Sequence, residues 1–411
     1  MWPLPENNDP TPTRPLGRRS FFSRAALGLH GAALTFLLRR DLFASSGPFH
    51  DVKERLPHHE PKARAVIHLF MNGGPSQMDL FDPKPVLEKR HGEAYFDRIA
   101  GEVENPQAAG ALLRSSFRFE RRGKCGMWIS DALPHLARHA DDIALVRSMH
   151  TTSLTHEPAV YRIQSGALGP GRPTLGAWVT YGLGTVNQDL PAYVVLDDPS
   201  GLPVNGVENW QAGFLPPTFQ GTRFRSTGSP ILSLRRERAV PEELERLEHD
   251  LLSRLDRIHL RERLGQPSLE ARIASYELAA RMQLSATEAL DLTGESPRTL
   301  AMYGVGKEPT DSYGRRCLIA RRLVERGVRF VQLYLNGQVW DNHTNLAADL
   351  KSACLRTDQP IAALLEDLKQ RGLFGSTLVV WGGEFGRLPI AQLGPDKDER
   401  KAGRDHNKNA F

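Results

Sequence analysis

The sequence predicts an α/β fold built on a doubly wound, mainly parallel sheet. Short runs rich in Val, Leu and Ile alternate with helical patterns, as expected of strands buried on both faces and joined by crossover helices. The 411 residues are 40% hydrophobic and 25% charged. That composition excludes wholesale disorder, collagen-like repeats and a polytopic membrane protein. A chain this long can bury a sizeable core without disulfide staples. Cys125, Cys317 and Cys354 are odd in number and widely spaced, which excludes a disulfide framework or a Cys-rich zinc module and leaves room for one bridge.

The first element is a leader. Residues 18–38 read RRSFFSRAALGLHGAALTFLL. The apolar run from Ala25 to Leu38 is too short to span about 30 Å of hydrocarbon but suits a signal peptide. Arg18-Arg19-Ser20-Phe21-Phe22 resembles a twin-arginine export signal. Arg39-Arg40 follow the run, and Ala44-Ser45-Ser46 is a fair cleavage site. The alternative is a buried amphipathic helix of a cytoplasmic protein. Twin-arginine export carries folded proteins, often already loaded with a cofactor, which favours a metal or cofactor protein.

Residues 1–40 hold six arginines against Glu6 and Asp9, and the remainder is nearly neutral despite a net charge of +5. The basic bias belongs to the leader, so nucleic acid is not an expected partner. The expected division is a signal region over 1–44, a Pro-rich linker over 45–62 and one domain over 63–411.

Within that domain, residues 64–72 (RAVIHLFMN) predict a buried strand turning at Gly73-Gly74-Pro75. Residues 142–149 predict a second strand. A helix from about Pro158 to Ser165 stops at Gly166, and residues 191–197 predict a third strand. Residues 200–230 read as a long irregular loop. Leu and Ala then recur at helical spacing over 236–300, predicting two or three amphipathic helices. A helix over 314–327, a strand over 328–335, a helix over 347–372 and a strand over 376–381 complete the domain. The stretch 236–327 reads as a helical insertion.

In such sheets ligands bind beyond the carboxyl ends of the strands, and the candidate chemistry gathers there. After the first strand, glycines allow an anion to approach the backbone, and Asp79 or Asp82 can bind a cation; a capped turn explains the same residues. After the second comes His150-Thr151-Thr152-Ser153-Leu154-Thr155-His156-Glu157-Pro158. These hydroxyls precede a helix whose N-terminus attracts anions. A Thr or Ser there can attack an ester, or Thr155 simply caps the helix. Asp341 and His343 are two apart after the strand 328–335, so in an extended loop they point the same way and can share a zinc, manganese or iron ion. Glu384 follows the last strand, and Asp405-His406 in the tail can close a metal site.

The segments GGPSQMDLFDPKP, THEPAVYRIQSG, GRPTLGAWVTYGLG, RRCLIARRLVERGVRFVQLYL, WDNHTN, GGEFGRLP and GRDHN resemble a bacterial family known as domain of unknown function 1501. That family is similar to the alkaline phosphatase and sulfatase superfamily. The resemblance implies an alkaline phosphatase-like fold with one or two divalent cations. It also implies a hydroxyl or formylglycine nucleophile at a helix N-terminus, acting on phosphate or sulfate esters. Set against the sulfatase motif, His156 stands where Cys or Ser would be and Pro158 matches the motif's Pro, so formylglycine chemistry is excluded. Thr155 or Ser153 is then the nucleophile by analogy, with His156 or Arg162 stabilising charge. Glu384-Phe385 replaces an Asp-His pair, and Asn72-Gly73 replaces the usual first-strand aspartates. Asp341, His343 and His406 suit a first metal site, and Asp79, Glu384 and Thr155 a second. Family members continue beyond GRDHN, so truncation near Phe411 is expected.

The expected protein is therefore a periplasmic or secreted hydrolase without a stable transmembrane anchor. It would use zinc, manganese, iron or calcium on a small-molecule or glycan ester. The alternative is a non-catalytic exported protein of the same fold that binds glycans or partner proteins. An oxidoreductase is disfavoured because no G-x-G-x-x-G follows a strand.

Overall fold

A computed structural model describes residue 54 and residues 59–225, 241–263 and 266–411. The expected leader lies outside the described residues, as does the linker apart from Glu54 and residues 59–62. The domain is a mixed α/β structure. Its main elements are β1 (Ala65–Phe70), α1 (His156–Ser165), α2 (Leu175–Leu183), β2 (Tyr193–Leu196), β3 (Thr222–Phe224), α3 (Glu242–Arg261), α4 (Pro267–Leu290), α5 (Asp311–Glu325), β4 (Phe330–Leu333), α6 (Leu346–Gln370) and β5 (Thr377–Gly382). Among the described residues no helix is long and apolar enough to cross a membrane.

The strands form a five-stranded sheet in the order β3-β2-β4-β1-β5. All four pairings are parallel, with Val66 opposite Phe330 and Leu378 on β1's two sides, and Tyr193 opposite Phe330. Side chains alternate between the two faces of a strand. Ile67, Leu69, Val194, Leu196, Val331 and Leu333 join one apolar cluster with residues of α4, α5 and α6. Phe70, Tyr193, Val195 and Phe330 join another with Val160 of α1, against which Ile163 of α1 and Val179 of α2 pack. Both faces are therefore covered, which is why the strands read as continuous apolar runs.

Helix ends follow the glycines. α1 closes on Gly166 in the left-handed region, at φ 77°, where a residue without a Cβ pays no steric penalty. α5 and α6 stop two residues before Gly327 and Gly372, both also at positive φ.

Two expectations change. Residues 143–149 form no strand: Leu145, Val146 and Met149 are exposed. The run is interrupted by Arg147 and pairs with no strand of the sheet. Conversely, the expected irregular loop over 200–230 contains β3, a three-residue edge strand too short to carry a periodicity. All three cysteines are free, Cys125 exposed and the other two buried.

A buried polar chain ties α1 to the sheet. Gln332 Nε2 on β4 donates to His68 Nδ1 on β1 (3.1 Å) and to Gln164 Oε1 on α1 (3.0 Å), and Gln164 Nε2 donates to Tyr334 Oη (3.1 Å). Burial lowers the His68 pKa to about 4, in keeping with a ring nitrogen that accepts. The unfolded chain protonates this group near pH 6.5, so unfolding takes up a proton between pH 6.5 and about 4. Stability contributed by neutral His68 is lost as pH falls through that window. We expect His68→Gln to flatten this fall by up to about 1.4 kcal/mol per pH unit, read from urea unfolding at a series of pH values.

A second buried pair fixes the turn after β1. Arg404 Nε donates to Asp79 Oδ2 (2.7 Å), and both side chains are fully buried. Ser76 Oγ donates to the same oxygen (2.5 Å). Removing one partner strands the other charge, so Asp79→Ala should cost about 3–5 kcal/mol of unfolding free energy, measured by denaturant titration.

Candidate metal centre

Three neighbouring strands, β4, β1 and β5, deliver their following loops to one place. Asp341 and His343 follow β4, Gly73 follows β1, and Glu384 and Arg387 follow β5. Close backbone approach makes this possible. A Cβ on Gly73, at φ 113°, would lie 2.6 Å from Asp341 N. The tail is then threaded in. His406 and Asn407 pair antiparallel with Arg387 and Gly386, Gly403 exchanges backbone hydrogen bonds with Gln392, and Arg404 N donates to Asn342 O. A Cβ on Gly403 would collide with the His343 carbonyl.

The result is a cluster of His156, Asp341, His343 and His406, with one ligand atom from each lying within 4.8 Å of the others. His343 Nε2 lies 2.9 Å and His406 Nε2 3.2 Å from Asp341 Oδ1, and His156 Nε2 lies 3.3 Å from Oδ2. Donors of a four-coordinate zinc at about 2.1 Å sit about 3.4 Å apart, so the spacing fits such an ion. The loop carrying Asp341 and His343 is a tight turn rather than an extended segment, since His343 N donates back to Asp341 O (3.3 Å).

The other face of each ring strengthens the fit. His156 Nδ1 lies 2.6 Å from Glu384 Oε1, His343 Nδ1 2.5 Å from Gln392 Oε1, and His406 Nδ1 2.5 Å from both Leu154 O and Glu104 Oε2. Every one of these partners is an acceptor, so each Nδ1 carries the proton. In a neutral imidazole the Nε2 lone pair then faces the cluster centre. This is how ligating histidines are held by a second layer of acceptors. His156 Nε2 is buried without an aligned hydrogen-bond partner, as expected of an atom placed to bind a cation.

The electrostatics point the same way. Asp341 is desolvated, which raises its pKa, yet the three imidazoles and Arg387 outweigh burial and hold it far below the usual carboxylate range. Burial opposes a charge on His156, but Asp341 and Glu384 push its pKa up to about 9. His343 is raised against its burial by Asp341 and Gln392. His406 falls to about 4, because burial outweighs Asp341. The cluster thus favours positive charge at its centre. Arg387 Nη2 donates to Asp341 Oδ1 (2.7 Å) and fixes the carboxylate from the side.

Asp341, His343 and His406, named from sequence, meet here, together with His156, which the sequence suggested as a stabiliser of charge. Glu384 is buried behind His156, accepting from Gly73 N (2.8 Å). Asp79 is held by Arg404 instead. Asp405 Oδ1 accepts from His406 N and Oδ2 from Asn105 N. With Glu104 and His406, Asp405 forms a second close group, in which burial and the Asp405 charge raise the Glu104 carboxyl. Thr155 is exposed at the α1 N-terminus, makes no side-chain cap bond and lies 3.1 Å from Ser153 Oγ. Arg162 donates to Gly166 O (2.6 Å) at the far end of α1, about 9 Å along the axis from His156. Arg387 and Gln392 were missed by sequence reasoning: Arg387 lies inside a quoted motif, and Gln392 carries no sequence signal.

Glu384→Gln keeps the shape but removes the charge that orients His156. We expect it to weaken zinc or manganese binding about 10–100-fold, and Asp341→Ala to abolish it, both read by elemental mass spectrometry after equilibrium dialysis.

Residues 63–411 match the family model described as protein of unknown function, DUF1501. No curated protein and no solved structure matches the chain. With most of its length covered by that match, the chain belongs to the DUF1501 family.

Proposed function

We propose that this protein is an exported, metal-dependent hydrolase of phosphate or sulfate esters. The observation that carries the reading is the convergence of three Nε2 atoms on Asp341, each ring tied at Nδ1 to an acceptor. A divalent cation held by His156, Asp341, His343 and His406 would supply charge stabilisation for an ester oxygen while the phosphorus or sulfur it is bonded to is attacked. The chain's own groups do the rest. Glu384, Gln392 and the Leu154 carbonyl hold the rings, and Arg387 orients Asp341. The N-terminus of α1 starts at His156 itself, so its first-turn N–H groups add a partial positive charge beside the centre. The charge on the equatorial oxygens of an in-line phosphoryl or sulfuryl transfer state between these two positive sources would be stabilised from both sides. Thr155, exposed and free of a capping bond, is the hydroxyl nearest in sequence to serve as nucleophile, with solvent water as the other candidate. Export rests on the Arg18-Arg19 leader, and a folded-state export route suits a site that must bind its cation first.

A second reading, a non-catalytic binder of glycans, is favoured by exposed Trp178 on α2 with Phe214 edge-on at 5.7 Å, an aromatic pair suited to stacking on sugar rings.

The test is turnover of aryl phosphates and aryl sulfates by the purified protein after metal loading. Expected is turnover of one ester class, lost on chelation, restored by adding the metal back, and reduced at least about 10³-fold in Asp341→Ala. Metal-loaded, folded protein that cleaves neither class would overturn the hydrolase reading in favour of the binder.

A further inference from the structure

α3 is a 20-residue helix whose apolar stripe is left to solvent. Leu244, Leu247, Leu251, Leu255 and Ile258 are each between 46% and 58% exposed. At about 100° per residue these five fall within about 80° of the helix circumference. They form one continuous seam, with Leu252 broadening it on one side. Single exposed leucines need no explanation, but a seam this long on one helix marks an interaction surface.

The spacing identifies the partner. The stripe is symmetric about Leu251: Leu247 and Leu255 lie four residues either side, and Leu244 and Ile258 seven. A two-fold axis at Leu251 therefore sets Leu251 against Leu251 of a second copy, Leu247 against its Leu255, and Leu244 against its Ile258. An isologous contact requires this self-matching, in which residue i meets j and j meets i. The charges match as well. Along one flank of the stripe run Glu243, Asp250, Arg254 and Arg261, all exposed, two acids followed by two bases. Reversed in an antiparallel copy about the same axis, that order brings Glu243 and Asp250 within about 3 Å along the helix of the level of Arg261 and Arg254 of the other chain, inside the reach of these side chains. The carboxylates on this flank also disfavour an anionic lipid surface as the occupant.

We propose that α3 pairs antiparallel with α3 of a second copy, making a two-fold homodimer. A 20-residue helix is about 30 Å long, so the seam alone falls below the roughly 800 Å² per partner of a standard interface. The dimer is accordingly concentration-dependent.

Sedimentation velocity of the full chain between about 1 and 100 μM tests this. The expected result is a mass that rises from one to two chains. Leu251→Asp should remain monomeric throughout with an unchanged far-ultraviolet circular dichroism spectrum. Arg254→Asp places a carboxylate against Asp250 of the other copy, and should weaken association at least about tenfold; adding Asp250→Arg should restore it. A wild-type chain that stays monomeric at every concentration would overturn the proposal, as it would if the seam were covered by another segment of its own chain or kept for a different partner. So would a dimer that neither Leu251→Asp nor Arg254→Asp alters.

Discussion

The Asp341 carboxylate is the group on which the rest of the site depends. Three imidazole nitrogens and one guanidinium face its two oxygens. With Nδ1 of each ring donating outward, the inward Nε2 atoms present lone pairs to a carboxylate. Lone pairs facing an anion repel, and the arrangement is stable only with positive charge between them. Protons can supply part of it, which is why the His156 pKa is driven up to about 9. A divalent cation supplies it in full and satisfies all four donors at once. The same physics explains why His406 behaves differently: deeply buried and close to Arg387 and His156, it is kept neutral, the form a metal ligand needs.

Holding such a centre open demands rigid walls, and these are made from loops rather than from strands. Loop carbonyls lack sheet partners and must find donors. Two buried arginines provide them. Arg387 donates to the carbonyls of Gly74 and Arg404 (2.8 and 3.0 Å) as well as to that of Gly73. Arg404 donates to the Leu113 carbonyl (3.0 Å) while paired with Asp79. A planar guanidinium with five donors suits this stapling of several loops at once. The aspartate after β1 thus supports the tail that carries His406. The link from sheet to site also runs through Gln332 and Gln164, which fix α1 and with it the ring of His156.

Much of this is legible in sequence because burial writes itself as pattern. β1, β2 and β4 are covered on both faces, so they appear as mostly apolar runs, broken only by His68 and Gln332; β5 reads the same way although Leu378 is exposed. The rule that ligands bind beyond carboxyl strand ends then singles out Asp341, His343 and Glu384 from a chain rich in charge. The same reasoning fails where pattern and placement part company. Residues 142–149 read as a largely apolar run yet pair with no strand, and β3 is too short to show a period. Asp79 looks like a ligand from its position after β1, but the Arg404 that captures it lies 325 residues away in sequence. Gln392, behind His343, is equally invisible, because only the folded tail brings the two together.

The most direct measurement of the central claim is anomalous X-ray scattering from crystals of the zinc- or manganese-loaded protein. The account predicts a peak about 2.0–2.3 Å from Nε2 of His156, His343 and His406 and from an Asp341 oxygen. Diffraction data showing no peak among these four side chains, with the protein loaded and folded, would contradict it.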